Sequence, residues 1–334
     1  MNKIKHFIGI DFSKDKFDAA LVSLEEQETK SCHQVFENSK SGCNAFIKWL
    51  IRLGIDPGNC LVCAEHTGMY VNILANYLAI HSFNLWLEMS YRIIRSSGIQ
   101  RGKNDKVDAL RIAQYAEKHV DKAMLYKPRK PILIKISSLL KLRDKLIKEK
   151  ASLLKTVNEY KVFDKDVATL LAKHQSRTLK SIVKDIEQIE STIKDLMKAD
   201  EDFLRLYQQV ISVPGVGQIT ALTLMCHTNE FMNFENPRQL ACYCGVVPFE
   251  YTSGKSIRGK PHVHFMANKQ LKQLLHMCAL TASMHDPEMK AYFIRKVTEG
   301  KSKMLVINNI RNKMIHRICA CVRENRKFET RLIA

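Results

Sequence analysis

The sequence predicts an α/β domain joined to an all-α remainder, and three observations carry that prediction. Between residues 5 and 118, strand-length apolar runs and helix-period segments follow the order strand, strand, strand, helix, strand, helix, strand, helix. Residues 132–205 then contain neither proline nor glycine and carry apolar residues at seven-residue spacing. Finally, a Pro-Gly-Val-Gly turn at 214–217 separates two segments of helical character. The expected division is 1–125, 126–205 and 206–334.

Residues 5–11 (KHFIGID), 17–23 (FDAALVS) and 31–37 (SCHQVFE) read as strands separated by turn-rich or charged links. Residues 39–53 have helix period, with Phe46, Ile47, Leu50 and Leu53 on the apolar side and Gly54 as the stop. Residues 60–65 (CLVCAE) form a strand, 69–80 a helix, 83–88 a strand and 105–118 a helix. Three leading strands can pair as a meander, and the crossovers that follow call for parallel pairing, so the sheet is expected to be mixed. In such a sheet, polar groups at strand ends and in the following loops form the natural site.

Two acids occupy those places. Asp11 ends the first strand and Glu65 the fourth. Each also fits a local role, Asp11 as a turn residue and Glu65 as a helix-start acid ahead of His66-Thr67-Gly68. The stretch RGKNDKVDALRIAQY, 101–115, adds Asp105 and Asp108, three residues apart and therefore on one helix face. Their alternative role is a solvated helix start, with Asn104 or Asp105 as cap and Asp108 favoured by the helix dipole. Arg92, Arg95, Arg101 and Lys103 precede them, and no acid lies between Glu88 and Asp105. Four carboxylates on elements that can converge, approached through cations, suit work on a polyanion.

In the middle region, Leu133, Leu140, Ile147 and Leu154 repeat every seven residues, and Ile182, Ile186, Ile189, Ile193 and Leu196 step by four and three. This is a coiled-coil seam, most simply two long helices with a break near 161–173. It serves either to dimerise the chain and hold two sites apart or as an intramolecular helical spacer.

The third region opens with ISVPGVGQITAL, 211–222. Gly215 and Gly217 in this turn fit the hairpin of a helix-hairpin-helix unit, whose backbone N–H groups approach a phosphate. An ordinary helical hairpin fits equally well. No acid occurs from Tyr251 to His285, whereas Lys255, Arg258, Lys260, Lys269 and Lys272 are present; 300–323 is also acid-free and basic. Such one-signed stretches suit phosphate tracking. Ser253, before Gly254 and amid these cations, has the setting a nucleophilic serine needs, and also that of a polar turn residue.

Composition narrows the class. The formal charge of +19 and pI near 9.5 favour a polyanionic partner. No apolar run approaches the roughly 20 residues that span a bilayer, so nucleic acid is favoured over membrane. The N-terminus runs into a strand with too short an apolar part for a signal peptide. Ten cysteines scattered through apolar segments read as reduced buried thiols in a cytoplasmic protein. Cys60 and Cys63 fall on opposite faces of a strand, and Cys242-x-Cys244 is no better placed for zinc.

With these motifs in order, the chain resembles the DEDD transposases of the one-ten insertion-sequence family, related to the pilin-gene invertase Piv. GIDFSKDKFDAALV is similar to the first acidic block and supplies Asp11; CAEHTGMY supplies Glu65; KNDKVDALRIAQYA supplies Asp105 and Asp108. PGVGQITA and CYCGVVPFEYTSGKSIRGK resemble the family's second domain, with Ser253 in the serine position. One departure follows the serine: members commonly carry an Ile-Ser-Lys-x-Gly-Asn type segment, where this chain has His264-Phe-Met-Ala-Asn-Lys-Gln-Leu.

The resemblance implies a ribonuclease H-like (RuvC-like) catalytic domain, a coiled-coil linker and a helical serine-bearing domain with a helix-hairpin-helix element. It implies DNA transposition or site-specific recombination, with Mg²⁺ (Mn²⁺ as a substitute) at Asp11, Glu65, Asp105 and Asp108, and Ser253 forming a phosphoserine link to DNA. The implied partners are element-end and target DNA, an element-encoded guide RNA in some members, and further copies of the chain as dimer or tetramer. The implied setting is the bacterial or archaeal nucleoid. Two other readings stay open: a metal-dependent Holliday-junction nuclease in which water attacks, and a non-catalytic nucleic-acid-binding protein whose acids are structural.

Overall fold

The computed structural model describes residues 4–24, 32–66, 68, 70–96, 98, 104–253 and 257–329, arranged in two compact units, Met1–Pro128 and Arg129–Ala334. Among the described residues no helix is long and apolar enough to cross a membrane. The ten cysteines are all free.

The first unit is built on a five-stranded sheet. Its strands are β1 (His6–Phe12), β2 (Lys16–Ser23) and β3 (Cys32–Glu37), then, after helix α1 (Lys40–Arg52), β4 (Cys60–Glu65) and, after α2 (Asn72–Ile80), β5 (Asn84–Glu88). The spatial order is β3-β2-β1-β4-β5, antiparallel among the first three and parallel from β1 through β4 to β5. The mixed sheet expected from the element order is therefore present. Two further helices follow, α3 (Ser90–Ser96) and α4 (Asp105–Lys118). The short α3 is absent from the sequence reading, and α2 begins at Asn72 rather than 69.

β1 is buried on both faces, as a central strand between helix layers must be. Ile8 and Ile10 join Phe17, Phe36, Phe46, Trp49 and Leu50 in a core that includes residues of α1 and α2. Phe7, on the other face, joins Leu61, Trp86, Ile112, Ala113 and Ala116 in a core that includes residues of α4. Cys60 belongs to the first core and Cys63 to the second, so the two thiols do face opposite ways.

The second unit begins with two long helices, α5 (Pro131–Phe163) and α6 (Lys165–Lys198). The break falls at Asp164, whose carboxylate caps α6 by accepting from the N–H groups of Asp166 and Val167. The helices fold back on each other: Arg143 Nε donates to Glu190 Oε1 at 2.7 Å, and Leu133, Ile136 and Leu140 share a core with Ile189, Ile193 and Met197. The heptad positions divide. Leu133 and Leu140 are buried, but Ile147 and Leu154 are 37% and 40% exposed.

The remaining elements are α7 (Glu201–Ile211), α8 (Gln218–Thr228), α9 (Pro237–Tyr243), strands β6 (Phe249–Ser253) and β7 (Ile257–His262), and helices α10 (Lys269–His285), α11 (Pro287–Thr298) and α12 (Lys303–Arg323). The remainder is thus mostly helical rather than all-α. β6 and β7 pair as an antiparallel hairpin that the sequence reading lacks. Residues Leu222, Met225 and Cys226 of α8 join the inner end of the α5–α6 pair in one core, while α7 to α12 enclose another around Val210, Leu275, Ile310 and Met314.

Candidate active site

Asp11 lies near the end of β1, next to the parallel strand β4, whose register pairs Ile10 with Ala64 just before Asp11 and Glu65. Across its other edge, Asp11 pairs with Asp18 on β2. The remaining two acids arrive from α4. That helix can cross β1 closely because Gly9 has no side chain: a Cβ there would stand 2.1 Å from the Ala109 carbonyl oxygen and 2.2 Å from the Ala113 nitrogen. Asn104 caps α4, its Oδ1 accepting from Val107 N–H at 2.8 Å, and Asp105 and Asp108 occupy the first turn.

The other acids act on Asp11 through their charge. Asp11 is half-buried, and its carboxyl is pushed up to about 6, first by burial and then by the charges of Asp105, Asp108, Glu65 and Asp18. All three of the other expected site acids therefore act on Asp11. Asp18 is a fifth carboxylate that sequence reasoning missed. It is 4% exposed and held by His33 Nε2 at 2.8 Å and Lys16 Nζ at 3.3 Å.

The other site acids have partners of their own. Lys16 Nζ also donates to Asp105 Oδ2 at 2.8 Å, Arg111 donates to Asp108 Oδ1 at 2.7 Å, and the Ser90 hydroxyl donates to Glu65. As the side chains stand, no three His, Cys, Asp or Glu among the described residues are disposed to hold one metal ion. The donor set nonetheless fits a hard divalent cation. It consists of carboxylate oxygens alone, and the raised Asp11 carboxyl marks a local excess of negative charge. A cation there would take the place of the ion pairs that Asp105 and Asp108 now make.

Arg92 and Arg95 stand on α3, toward the C-terminal end of α4 and not its first turn. Arg92 reaches buried Glu88 at 3.5 Å, and Arg95 donates to the Tyr91 hydroxyl at 2.8 Å. With Lys122 and His119 they line a shallow basic depression. Arg101 and Lys103 lie outside the described residues.

In the second unit, Ser253 is the last residue of β6 and pairs with Ile257 of β7. Lys255 lies outside the described residues. Arg258 and Lys260 on β7 and Lys269 at the start of α10 are exposed, and Lys272 is partly covered. The His264–Ala267 segment forms a turn, after which Asn268 caps α10 by accepting from Leu271 N–H at 3.0 Å. The two turn glycines differ. Gly215 has φ +89, and a Cβ on it would meet the Cys278 carbonyl oxygen at 2.7 Å, so packing on α10 requires it. Gly217, at the N-cap of α8, has open space around it.

Comparison with known proteins agrees with both halves. A DEDD transposase family model of the IS110 group matches residues 8–160, and the Transposase IS116/IS110/IS902 family matches 207–293. The pilin gene-inverting protein of Moraxella bovis is 26% identical over 336 residues, spanning 98% of this chain and 99% of that protein; its counterpart in Moraxella lacunata is equally similar. A transposase for insertion sequence element IS1111A from Coxiella burnetii is 28% identical over 183 residues, 47% of this chain and 48% of its own length. The chain resembles the IS110 transposases in both matched regions. It is an enzyme of the recombinase and transposase class, and the DEDD type of the first matching family points to a divalent metal. Asp11, Glu65, Asp105 and Asp108 all fall within the first matched region, and Ser253 within the second.

Proposed function

We propose that this enzyme cuts and rejoins DNA strands with the four-carboxylate cluster and Ser253 acting together. The observation that carries the reading is the Asp11 carboxyl, pushed up to about 6 with Asp105, Asp108 and Glu65 all contributing. A ribonuclease H-like role for the first unit is part of this proposal, as are the three functional parts 1–125, 126–205 and 206–334.

Asp11, Glu65, Asp105 and Asp108 would hold Mg²⁺, or Mn²⁺ in its place, which when bound supplies charge neutralisation at the scissile phosphate and leaving oxygen. The protein's own groups do the rest. The Ser253 hydroxyl attacks phosphorus, forming a Ser–O–P bond as the bond to one deoxyribose oxygen breaks. The serine proton leaves the hydroxyl and a proton is taken up by the departing oxygen. The phosphodiester energy is kept in the phosphoserine link until a second deoxyribose hydroxyl attacks it, which restores the serine. Lys255, Arg258 and Lys260 would hold the phosphate, and Lys269, Lys272, Gly217, Gly215, Arg92, Arg95, Arg101 and Lys103 would track the flanking backbone.

The exposed outer seam, with Ile147 and Leu154 uncovered, supports a homo-oligomer in which the serine acts in cis or across protomers. The net charge of +19 leaves capacity for a guide RNA as a second polyanion. An excision assay with element-end DNA tests the reading: Asp11→Asn and Asp105→Asn each abolish recombination while leaving DNA binding in place. Full recombination by either variant would mean that these acids are structural.

A further inference from the structure

The β6–β7 hairpin and the turn after it carry an aromatic face that the core does not use. Phe249 is 48% exposed, Tyr251 55% and Phe265 67%, on a segment of the second unit with no sequence requirement for apolar surface. The rings are ordered against one another. Phe249 meets the edge of His264 at 6.4 Å, His264 stacks on Phe265 at 4.5 Å, and Tyr251 meets the edge of His262 at 5.5 Å. Gly259 leaves room for the Tyr251 ring. It is the cross-strand partner of Tyr251, and a Cβ on it would lie 2.5 Å from the ring. The glycine lets the ring lie across β7 while one broad side stays open to solvent.

Charge around these rings has one sign. Glu250 is the one acid between residues 249 and 285, whereas Arg258, Lys260 and Lys269 are exposed on the same hairpin and the helix that follows. Among the described residues Arg258, Lys260 and Lys269 form no ion pair. The register pairs Tyr251 with Gly259 and Thr252 with Arg258, so the Arg258 side chain springs from the opposite face of the thin hairpin and flanks the rings across its edge. Aromatic faces flanked by unneutralised cations bind chains of unpaired nucleotides: the bases stack on the rings and the phosphates lie along the cations. A duplex offers no such base faces, because its bases are stacked on one another.

We propose that this face is a stacking platform for single-stranded DNA, seating the unpaired bases that flank the phosphate delivered to Ser253. The choice of DNA rests on the serine reading, because Ser253 ends the same strand that carries Phe249 and Tyr251. Stacking itself does not depend on that chemistry, so the two can fail separately.

The full-length chain, titrated at fixed salt with a fluorescent single-stranded DNA containing 2-aminopurine, provides the test. Tyr251→Ala and Phe265→Ala each weaken binding by about tenfold and relieve the 2-aminopurine quenching. Tyr251→Phe restores both, and Ser253→Ala changes neither. Duplex affinity stays the same, and melting temperatures of these exposed-site variants match the parent. Unchanged single-strand affinity in the Tyr251→Ala/Phe265→Ala double variant overturns the proposal. So does an equal loss on duplex, a loss confined to RNA of the same sequence, or a change of oligomeric state in place of the affinity change. Loss of adduct formation by Ser253→Ala with the platform effects intact supports both readings; a platform effect with no serine adduct removes the serine chemistry alone.

Discussion

Gly9 of β1 lies beneath Ala109 of α4, so closely that a Cβ on the glycine would stand 2.1 Å from the Ala109 carbonyl oxygen. That contact sets the height of the helix carrying Asp105 and Asp108 above the strand carrying Asp11. Gly9→Ala must push backbone, not a flexible side chain. It should cost stability at the upper end of the roughly 1–3 kcal/mol typical of overpacking. It should also reduce divalent-metal binding more than its stability loss explains. Urea melts and a metal titration on the surviving folded fraction measure the two effects.

The Asp11 carboxyl gives the metal-free protein a pH signature. Its folded value, about 6, is above the ordinary 3.8, so between these values the folded state holds a proton that the unfolded state has lost. The contribution to stability is fully present below about 4 and is lost as pH rises through about 6. A bound divalent cation removes the penalty on the ionised form. Mg²⁺ should therefore raise the melting temperature strongly at pH 7.5 and little at pH 5, as read by thermal melts with and without chelator.

Lys16 competes for the same acids, its ammonium lying 2.8 Å from Asp105 and 3.3 Å from Asp18. Lys16→Met removes a positive charge from the cluster. Divalent-metal affinity should rise several-fold by calorimetry, while the Asp11 carboxyl, followed by NMR in the metal-free protein, should titrate at still higher pH. Weaker metal binding would show that Lys16 supports the site instead of competing with the ion.

The seam of the long helices should behave in two halves. Leu133 is buried in a core shared with α8, so Leu133→Ala should cost roughly 2–5 kcal/mol. Ile147→Glu and Leu154→Glu fall on exposed positions and should leave the fold stable. In analytical ultracentrifugation these two should dissociate the proposed homo-oligomer.

What the sequence disclosed and what it hid follow from range. Asp11 and Glu65 were legible because strand alternation and length set strand ends locally, and Asp105 and Asp108 because three-residue spacing shares a helix face. Asp18 was not, since only the cross-strand register Asp11↔Asp18 brings it to the cluster. The β6–β7 hairpin was hidden by its own composition: FEYTS alternates over only four residues, and in IRGKPH Pro261 and the cations read as loop. The short basic α3 was hidden in the same way. Gly215 carries a second constraint that its motif does not reveal. Besides the phosphate approach its motif suggests, its backbone is pressed against α10, a partner far away in sequence.

The central claim, a serine nucleophile served by the carboxylate cluster, is tested most directly by trapping the reaction with labelled element-end DNA and Mg²⁺. Denaturing electrophoresis followed by mass spectrometry of the labelled peptide should find DNA attached to Ser253. The adduct should be absent in Ser253→Ala and in Asp11→Asn. Cleaved DNA with free ends and no protein attached, in the parent chain, would contradict the account and leave water as the nucleophile.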